Sequence, residues 1–166
     1  MKELFRPDLM LKKYDDLKID ELRERGFDTI LLDVDNTITP YDKKIPDVKA
    51  KAFVRELKEK GFRVIVFSNN NDKRVSKVAQ ALDCDYRCHA LKPLPFRFDQ
   101  VIKELDADKK RVLCMGDQLM TDVLGGNLAG IFSVYVKPIV DEDLPVTYIN
   151  RKLERLVFKY ILHEKV

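Results

Sequence analysis

Short apolar runs recur along this chain, and between them apolar residues return every three or four positions. The runs fall at residues 29–34, 63–67, 86–90, 111–115 and 131–136. Runs of this length bounded by turn-forming residues are the pattern of buried strands. The intervening stretches read as helices. Val48, Ala52, Phe53 and Leu57 share a face of one that opens near Pro46 and closes at Gly61. Val75, Val78, Ala79 and Leu82 share a face of a second that begins at Asp72, and residues 121–129 form a further one. Phe98, Val101, Ile102 and Leu105 follow the break Lys92-Pro93-Leu94-Pro95 at the same spacing. Upstream, residues 20–25 form a short helix stopped by Gly26, while Leu4, Phe5, Leu9, Met10 and Leu11 cover an edge of the core. Strands alternating with helices at this rhythm imply βαβ units with right-handed crossovers. The expected class is α/β: a Rossmann-like, doubly wound, mostly parallel five-stranded sheet in one domain over residues 1–166, with no repeat or linker.

Composition narrows the setting. The chain has 166 residues, one domain's length, and 45% of them are hydrophobic, enough for a real core. A formal net charge of +3 is too small to argue for a nucleic-acid partner, and it is compatible with anionic substrates. No apolar run approaches the ~18–20 residues of a membrane span, and the N-terminus lacks the apolar region of a secretory signal. Cys84, Cys88 and Cys114 are an odd number of cysteines, best read as reduced thiols in a cytoplasmic protein.

Three of the expected strands end in polar clusters: Asp33 and Asp35, Ser68 and Asn69, and Asp117. In a doubly wound sheet these ends share the rim beside the ligand crevice. Alternation puts Asp33 and Asp35 on one side, where two like charges call for a cation between them; Mg²⁺, with its preference for hard oxygen ligands, is the simplest choice. Lys92 lies in a loop that reaches the same rim, and Asp122 adds a further carboxylate. Carboxylates, a hydroxyl, an amide and one lysine suit metal-assisted attack on a phosphoryl group, which needs a nucleophile, charge neutralisation and a proton for the leaving oxygen.

Asp33-Val34-Asp35-Asn36-Thr37, Ser68 after an apolar strand, Lys92 before Pro93, and Gly116-Asp117-Gln118-Leu119-Met120-Thr121-Asp122 together resemble the four motifs of the haloacid dehalogenase (HAD) superfamily, in order. The resemblance implies a phosphatase in which Asp33 is the nucleophile that forms an aspartyl-phosphate. Asp35 would protonate the leaving alcohol and then activate water. Mg²⁺ would be held by the carboxylate of Asp33, the main-chain carbonyl of Asp35 and the carboxylate of Asp117, with Asp122 acting through water or as an orienting group. Ser68 and Asn69 would hydrogen-bond the phosphoryl oxygens, and Lys92 would neutralise phosphate and nucleophile. Between Asp35 and Ser68, and again between Ser68 and Lys92, the chain has no room for a cap domain. The site is therefore expected to be open, which suits a phosphate presented on something large. At finer grain the chain resembles the YqeG-type subfamily, which implies a phosphatidylglycerophosphate phosphatase. The alternatives are a capless phosphatase for a soluble sugar phosphate, nucleotide or phosphoprotein, and a non-catalytic module with the same fold.

Residues 151–162 pattern as an amphipathic helix, with Leu153, Leu156, Val157, Tyr160 and Ile161 on one face and Arg151, Lys152, Arg155 and Lys159 supplying charge. Such a helix either lies at an anionic membrane interface, making the protein peripheral at the inner face of the membrane, or packs on the sheet. Cys84, Cys88 and His89 offer three zinc ligands where a structural site needs four. Asn69-Asn70-Asn71 reads as a polar loop tolerant of unusual backbone angles. Gly125-Gly126 is either a phosphate-binding turn or a point of close packing. Lys43, Lys44, Lys73 and Arg74 either ring the crevice or are ordinary solvated charge.

Overall fold

The computed structural model describes residues 2–140 together with 154, 156 and 157. Six strands form one sheet: β1 (Leu9–Leu11), β2 (Thr29–Leu32), β3 (Arg63–Phe67), β4 (Asp85–Arg87), β5 (Val112–Gly116) and β6 (Phe132–Val136). The helices are α1 (Ile19–Glu24), α2 (Val48–Glu59), α3 (Asp72–Leu82), α4 (Pro95–Glu104) and α5 (Leu124–Ala129). The spatial order is β1-β6-β5-β2-β3-β4, and every pairing is parallel.

Among the described residues the expected five strands become six. Leu9, Met10 and Leu11 do not merely cover an edge; they pair with Val134, Tyr135 and Val136 as an edge strand. A three-residue strand is too short to show periodicity, so only its partner reveals it.

Both faces of the sheet are buried, as a doubly wound parallel sheet requires. Ile30 and Leu32 of β2, Val64 and Val66 of β3, and Leu113 and Met115 of β5 join one core with Val54, Leu57, Val78 and Leu82 of α2 and α3. Leu31, Ile65, Phe67, Val112 and Cys114 face the other side, against Phe98, Val101 and Ile102 of α4 and Ala129 of α5. The alternation along each strand thus allocates each residue to one helical layer.

Several boundaries move, among them that of β4, expected over 86–90 and found over Asp85–Arg87. The strand expected over 29–34 stops at Leu32, because the Val34 carbonyl accepts from the amides of Thr37, Ile38 and Thr39 and turns the chain away. The helix expected from Pro46 has Asp47 as its N-cap, its carboxylate accepting from the Ala50 amide at 2.8 Å. The buried face is therefore Ala50, Phe53, Val54 and Leu57, while Val48 is 84% exposed. The helix expected over 121–129 begins earlier, with a π-helical turn over Leu119–Val123.

Strand order reverses at β2. The chain runs from β2 outward to β3 and β4, then crosses to β5 on the opposite flank. The crevice at the carboxyl end of β2, between β3 and β5, is the switch point where such sheets take ligands.

Candidate active site

Asp33 follows β2 directly, and its amide still donates to the Met115 carbonyl of β5 at 2.8 Å. Its side chain is therefore placed by the sheet itself. Lys92, from the turn before α4, is buried and spends all three ammonium protons: on Asp33 Oδ1 at 2.7 Å, on Asp122 Oδ1 at 2.6 Å and on the Phe67 carbonyl at 2.8 Å. Burial works against its charge, but Asp122 and Asp33 outweigh burial and hold its pKa above the ordinary lysine value. Asp33 shows the opposite balance. Burial pushes its carboxyl up to about 7, opposed by Lys92 and reinforced by Asp122 and Asp35.

Asp117 and Asp122 close the cluster. Asp33, Asp117 and Asp122 each offer a carboxylate oxygen, all within 4.8 Å of one another, and all three residues are buried. The Thr37 hydroxyl lies 3.1 Å from Asp117 Oδ1 and 3.4 Å from Asp33 Oδ2. Asp122 is oriented by the Gln118 amide, which donates to Oδ2 at 3.1 Å. Gly116 leaves room for it: a Cβ there would overlap the Asp122 carboxylate. Buried, convergent carboxylate oxygens fit a hard divalent cation. A cation would also favour the ionised form of an Asp33 that burial otherwise protonates.

Asp35 stands apart from that cluster. Its side chain is not among the three carboxylates that converge, so any role as a metal ligand falls to its main-chain carbonyl. The chain has left the strand by this point, and alternation no longer puts the two carboxylates together. Arg74 donates to Asp35 Oδ1 from Nε at 3.1 Å and from Nη2 at 2.8 Å, and Asn70 donates to Oδ2 at 3.0 Å. Arg74 also binds the Lys43 and Pro40 carbonyls, tying α3 to the loop after β2.

Ser68 is buried at the end of β3, and its hydroxyl accepts from the Asn70 amide at 3.2 Å. The three asparagines that follow have separate tasks, and none has a positive φ. Asn69 exchanges hydrogen bonds with the backbone of Lys92, accepting at 2.8 Å and donating at 3.0 Å, so its amide is engaged in fixing the lysine. Asn70 holds Asp35. Asn71 caps α3, accepting from the Arg74 amide at 3.1 Å.

Sequence reasoning left Arg74 open between a crevice cation and ordinary solvated charge, and it missed Asn70 and Thr37 as site residues. One signal was present for Arg74: a cation in the first turn of a helix opposes the dipole and asks for an anionic partner. Cys84, Cys88 and His89 do not converge on one point among the described residues, and burial pushes the Cys84 thiol up to about 11. Gly125 packs against Phe98 and the Pro93 backbone, and Gly126 against the Cys114 sulfur, so this pair serves close packing. Of the C-terminal helix, residues 151–153, 155 and 158–162 lie outside the described residues. Val157 is buried with Leu119, Val123 and Tyr135, whereas Leu156 is 52% exposed.

A doubly wound sheet whose switch point carries a lysine-bound aspartate beside convergent carboxylates defines a hydrolase of the α/β class. Residues 3–130 match the family model of haloacid dehalogenase-like hydrolases, and the chain belongs to that family. It is 32% identical over 157 residues to "Probable phosphatase YqeG" of Bacillus subtilis, covering 95% of this chain and 91% of that protein. It is 25% identical over 144 residues to phosphatidylglycerophosphate phosphatase 1, chloroplastic/mitochondrial, of Arabidopsis thaliana, covering 81% of this chain and 41% of that protein. Among solved structures, the cobalt-bound deoxy-D-mannose-octulosonate 8-phosphate phosphatase of Haemophilus influenzae shares the fold, with a TM-score of 0.55 at 14% identity over 81% of this chain and 88% of that one. The protein is a phosphatase, with an acidic cluster of the kind that holds a divalent metal in this family.

Proposed function

We propose that this phosphatase is a Mg²⁺-dependent phosphomonoesterase that works through an aspartyl-phosphate on Asp33 and dephosphorylates phosphatidylglycerophosphate to phosphatidylglycerol. The observation that carries the chemistry is the Lys92 ammonium seated between Asp33 and Asp122, 2.7 Å and 2.6 Å away. It holds the nucleophile and supplies positive charge where the phosphoryl oxygens gather. The Asp33 carboxylate attacks phosphorus, the bond to the leaving alcohol breaks, and Asp35 gives that oxygen a proton. Asp35 then takes a proton from water, which attacks the acyl phosphate at phosphorus and restores Asp33. Ser68 donates its hydroxyl to a phosphoryl oxygen. Asp33, Asp117, Asp122 and the Asp35 carbonyl would hold Mg²⁺, which when bound neutralises charge on the transferring group.

The substrate rests on three supports. One of the relatives acts on phosphatidylglycerophosphate by name. From Asp35 to Lys92 the chain forms only loops, α2, β3, α3 and β4, which supports a site with no cap domain. Beside Lys92, Leu91, Leu94 and Phe96 are 54%, 45% and 56% exposed, an apolar rim suited to lipid. Leu91 has a φ of 54°, a conformation otherwise taken, among the described non-glycine residues, by Asn36, Asp83, His89 and Asp106. No described helix is long and apolar enough to cross a membrane.

The test is Mg²⁺-dependent phosphate release from phosphatidylglycerophosphate in mixed micelles, wild type against Asp33→Asn. Turnover that disappears in the variant supports both nucleophile and substrate. Hydrolysis of an aryl phosphate with none of the lipid retains the chemistry and discards the substrate.

A further inference from the structure

We propose that the cleft beside Thr37, lined by Lys12, Lys13 and Lys137, is a second anion site that takes a phosphodiester of the substrate whose monoester phosphate lies over Asp33. This rests on the lipid reading above for the identity of the substrate, but the site stands on its own geometry.

The edge strand β1 and its neighbour β6 run parallel to β2 and β5, so all four end on the same rim. Leu11 lies in register with Val136, and the Lys137 amide donates to the Leu11 carbonyl at 2.9 Å. Lys12, Lys13 and Lys137 therefore leave the sheet side by side. The next turn is strapped to the catalytic loop, the Ile139 amide donating to the Asn36 carbonyl at 2.9 Å. Together these segments enclose a cleft of about 340 Å³ whose wall includes Thr37. The same Thr37 hydroxyl sits 3.4 Å from Asp33 and 3.1 Å from Asp117. The cleft thus begins one side chain away from the nucleophile.

The charges in the cleft favour an anion. Its acids are already engaged: Asp15 pairs with Lys49 at 2.8 Å, and Asp47 caps α2. Lys12, Lys13 and Lys137 form no ion pair among the described residues. A single exposed lysine attracts anions weakly, but like charges lining a concavity focus the field. Ammonium groups act as adjustable point charges, suited to a singly charged diester whose orientation is not fixed by a planar fork. Ile38, Pro40 and Pro138 supply an apolar surface for the carbons between two phosphates. A substrate with a monoester and a diester on one glycerol backbone matches both sites at once.

Two measurements test this. The first is kcat/KM for three substrates: glycerol 3-phosphate, the soluble deacylated headgroup glycerophosphoglycerophosphate, and the intact lipid in mixed micelles. Wild type is expected to prefer the headgroup over glycerol 3-phosphate by about tenfold or more, the equivalent of two or three weak ionic contacts. In the Lys12→Gln/Lys13→Gln/Lys137→Gln variant the ratio should fall toward one. The second is amide chemical shifts during titration with glycerophosphoglycerol, which carries the diester but no monoester. Shifts at Lys12, Lys13 and Lys137 that vanish in the triple variant support the site. If these shifts occur but neither lipid nor headgroup is hydrolysed, the site stands for a diester from a soluble source and the lipid reading fails. If the amides do not respond and the variant keeps the wild-type ratio, the second site is overturned, even where lipid turnover is intact.

Discussion

Arg74 and Asp35 form a part-buried ion pair in which two guanidinium nitrogens, Nε at 3.1 Å and Nη2 at 2.8 Å, converge on a single carboxylate oxygen. Asn70 takes the other oxygen at 3.0 Å. A carboxylate gripped from both sides has little freedom to rotate, which is what proton transfer to a leaving group demands. The consequence depends on the leaving group. An alkoxide needs a proton as it departs, whereas p-nitrophenolate does not. Arg74→Gln is therefore expected to lower kcat/KM for an alkyl phosphate by about 10²-fold, within the usual range for general acid catalysis, and to spare p-nitrophenyl phosphate. Arg74→Lys should recover part of the loss. Because kcat/KM reports only steps through loss of the alcohol, slow hydrolysis of the acyl phosphate does not blur the comparison. Equal losses on both substrates would mean that Arg74 only holds the loop. Asp35→Asn should show the same selectivity, and its absence there would count against Asp35 as the acid.

Lys92 links the chemistry to the stability of the rim. Replacing it with Met leaves Asp33 and Asp122 buried without their cation, and such losses cost about 3–5 kcal/mol. Lys92→Met should unfold at a markedly lower temperature in EDTA. Mg²⁺, if it binds the same carboxylates, should restore more stability to this variant than to wild type. Calorimetry with and without Mg²⁺ checks this. A variant as stable as wild type in EDTA would contradict the ion-pair geometry.

Asp33 gives a pH signature to the metal-free protein. Its carboxyl is pushed up to about 7 from the ordinary carboxylate range, chiefly by burial. The folded state therefore holds this proton more tightly than the unfolded chain does. Its contribution is fully present below about pH 4 and is lost as pH rises toward about 7. Measured in EDTA as the difference in unfolding free energy between wild type and Asp33→Asn, wild type should lose ground across that window. A difference that grows with pH would show that Lys92 more than offsets burial.

Gly116 is constrained by space, not by its backbone angles. A methyl group at this position overlaps the Asp122 carboxylate, which cannot withdraw without releasing Lys92. Gly116→Ala should raise the Mg²⁺ concentration needed for half-maximal activity by about tenfold or more, a modest ligand displacement in energy. Titration of activity with Mg²⁺ against wild type measures it, and an unchanged requirement would rule out Asp122 as part of the metal site.

Much of this molecule is written in local pattern. The strands at 63–67 and 112–116 and the helix from Asp72 are apolar runs or apolar faces long enough to declare themselves, and the polar residues that end β2, β3 and β5 mark a common rim once the sheet is parallel. Asp33, Lys92 and Asp117 were legible because their residue types and order carry the chemistry. What the sequence could not supply were relations between segments that no period connects. The edge strand β1 exists only through its pairing with β6. Arg74 resembles any surface cation until α3 sets it against Asp35, and Asn69 resembles any loop residue until it meets the Lys92 backbone. Sequence by itself determined which side chains were available and, for the longer strands and helices, which element each would occupy, because propensity and periodicity act over a few residues. Tertiary structure decided which of them share a charge or a hydrogen bond, because those interactions fall off over a few ångströms and join residues dozens of positions apart.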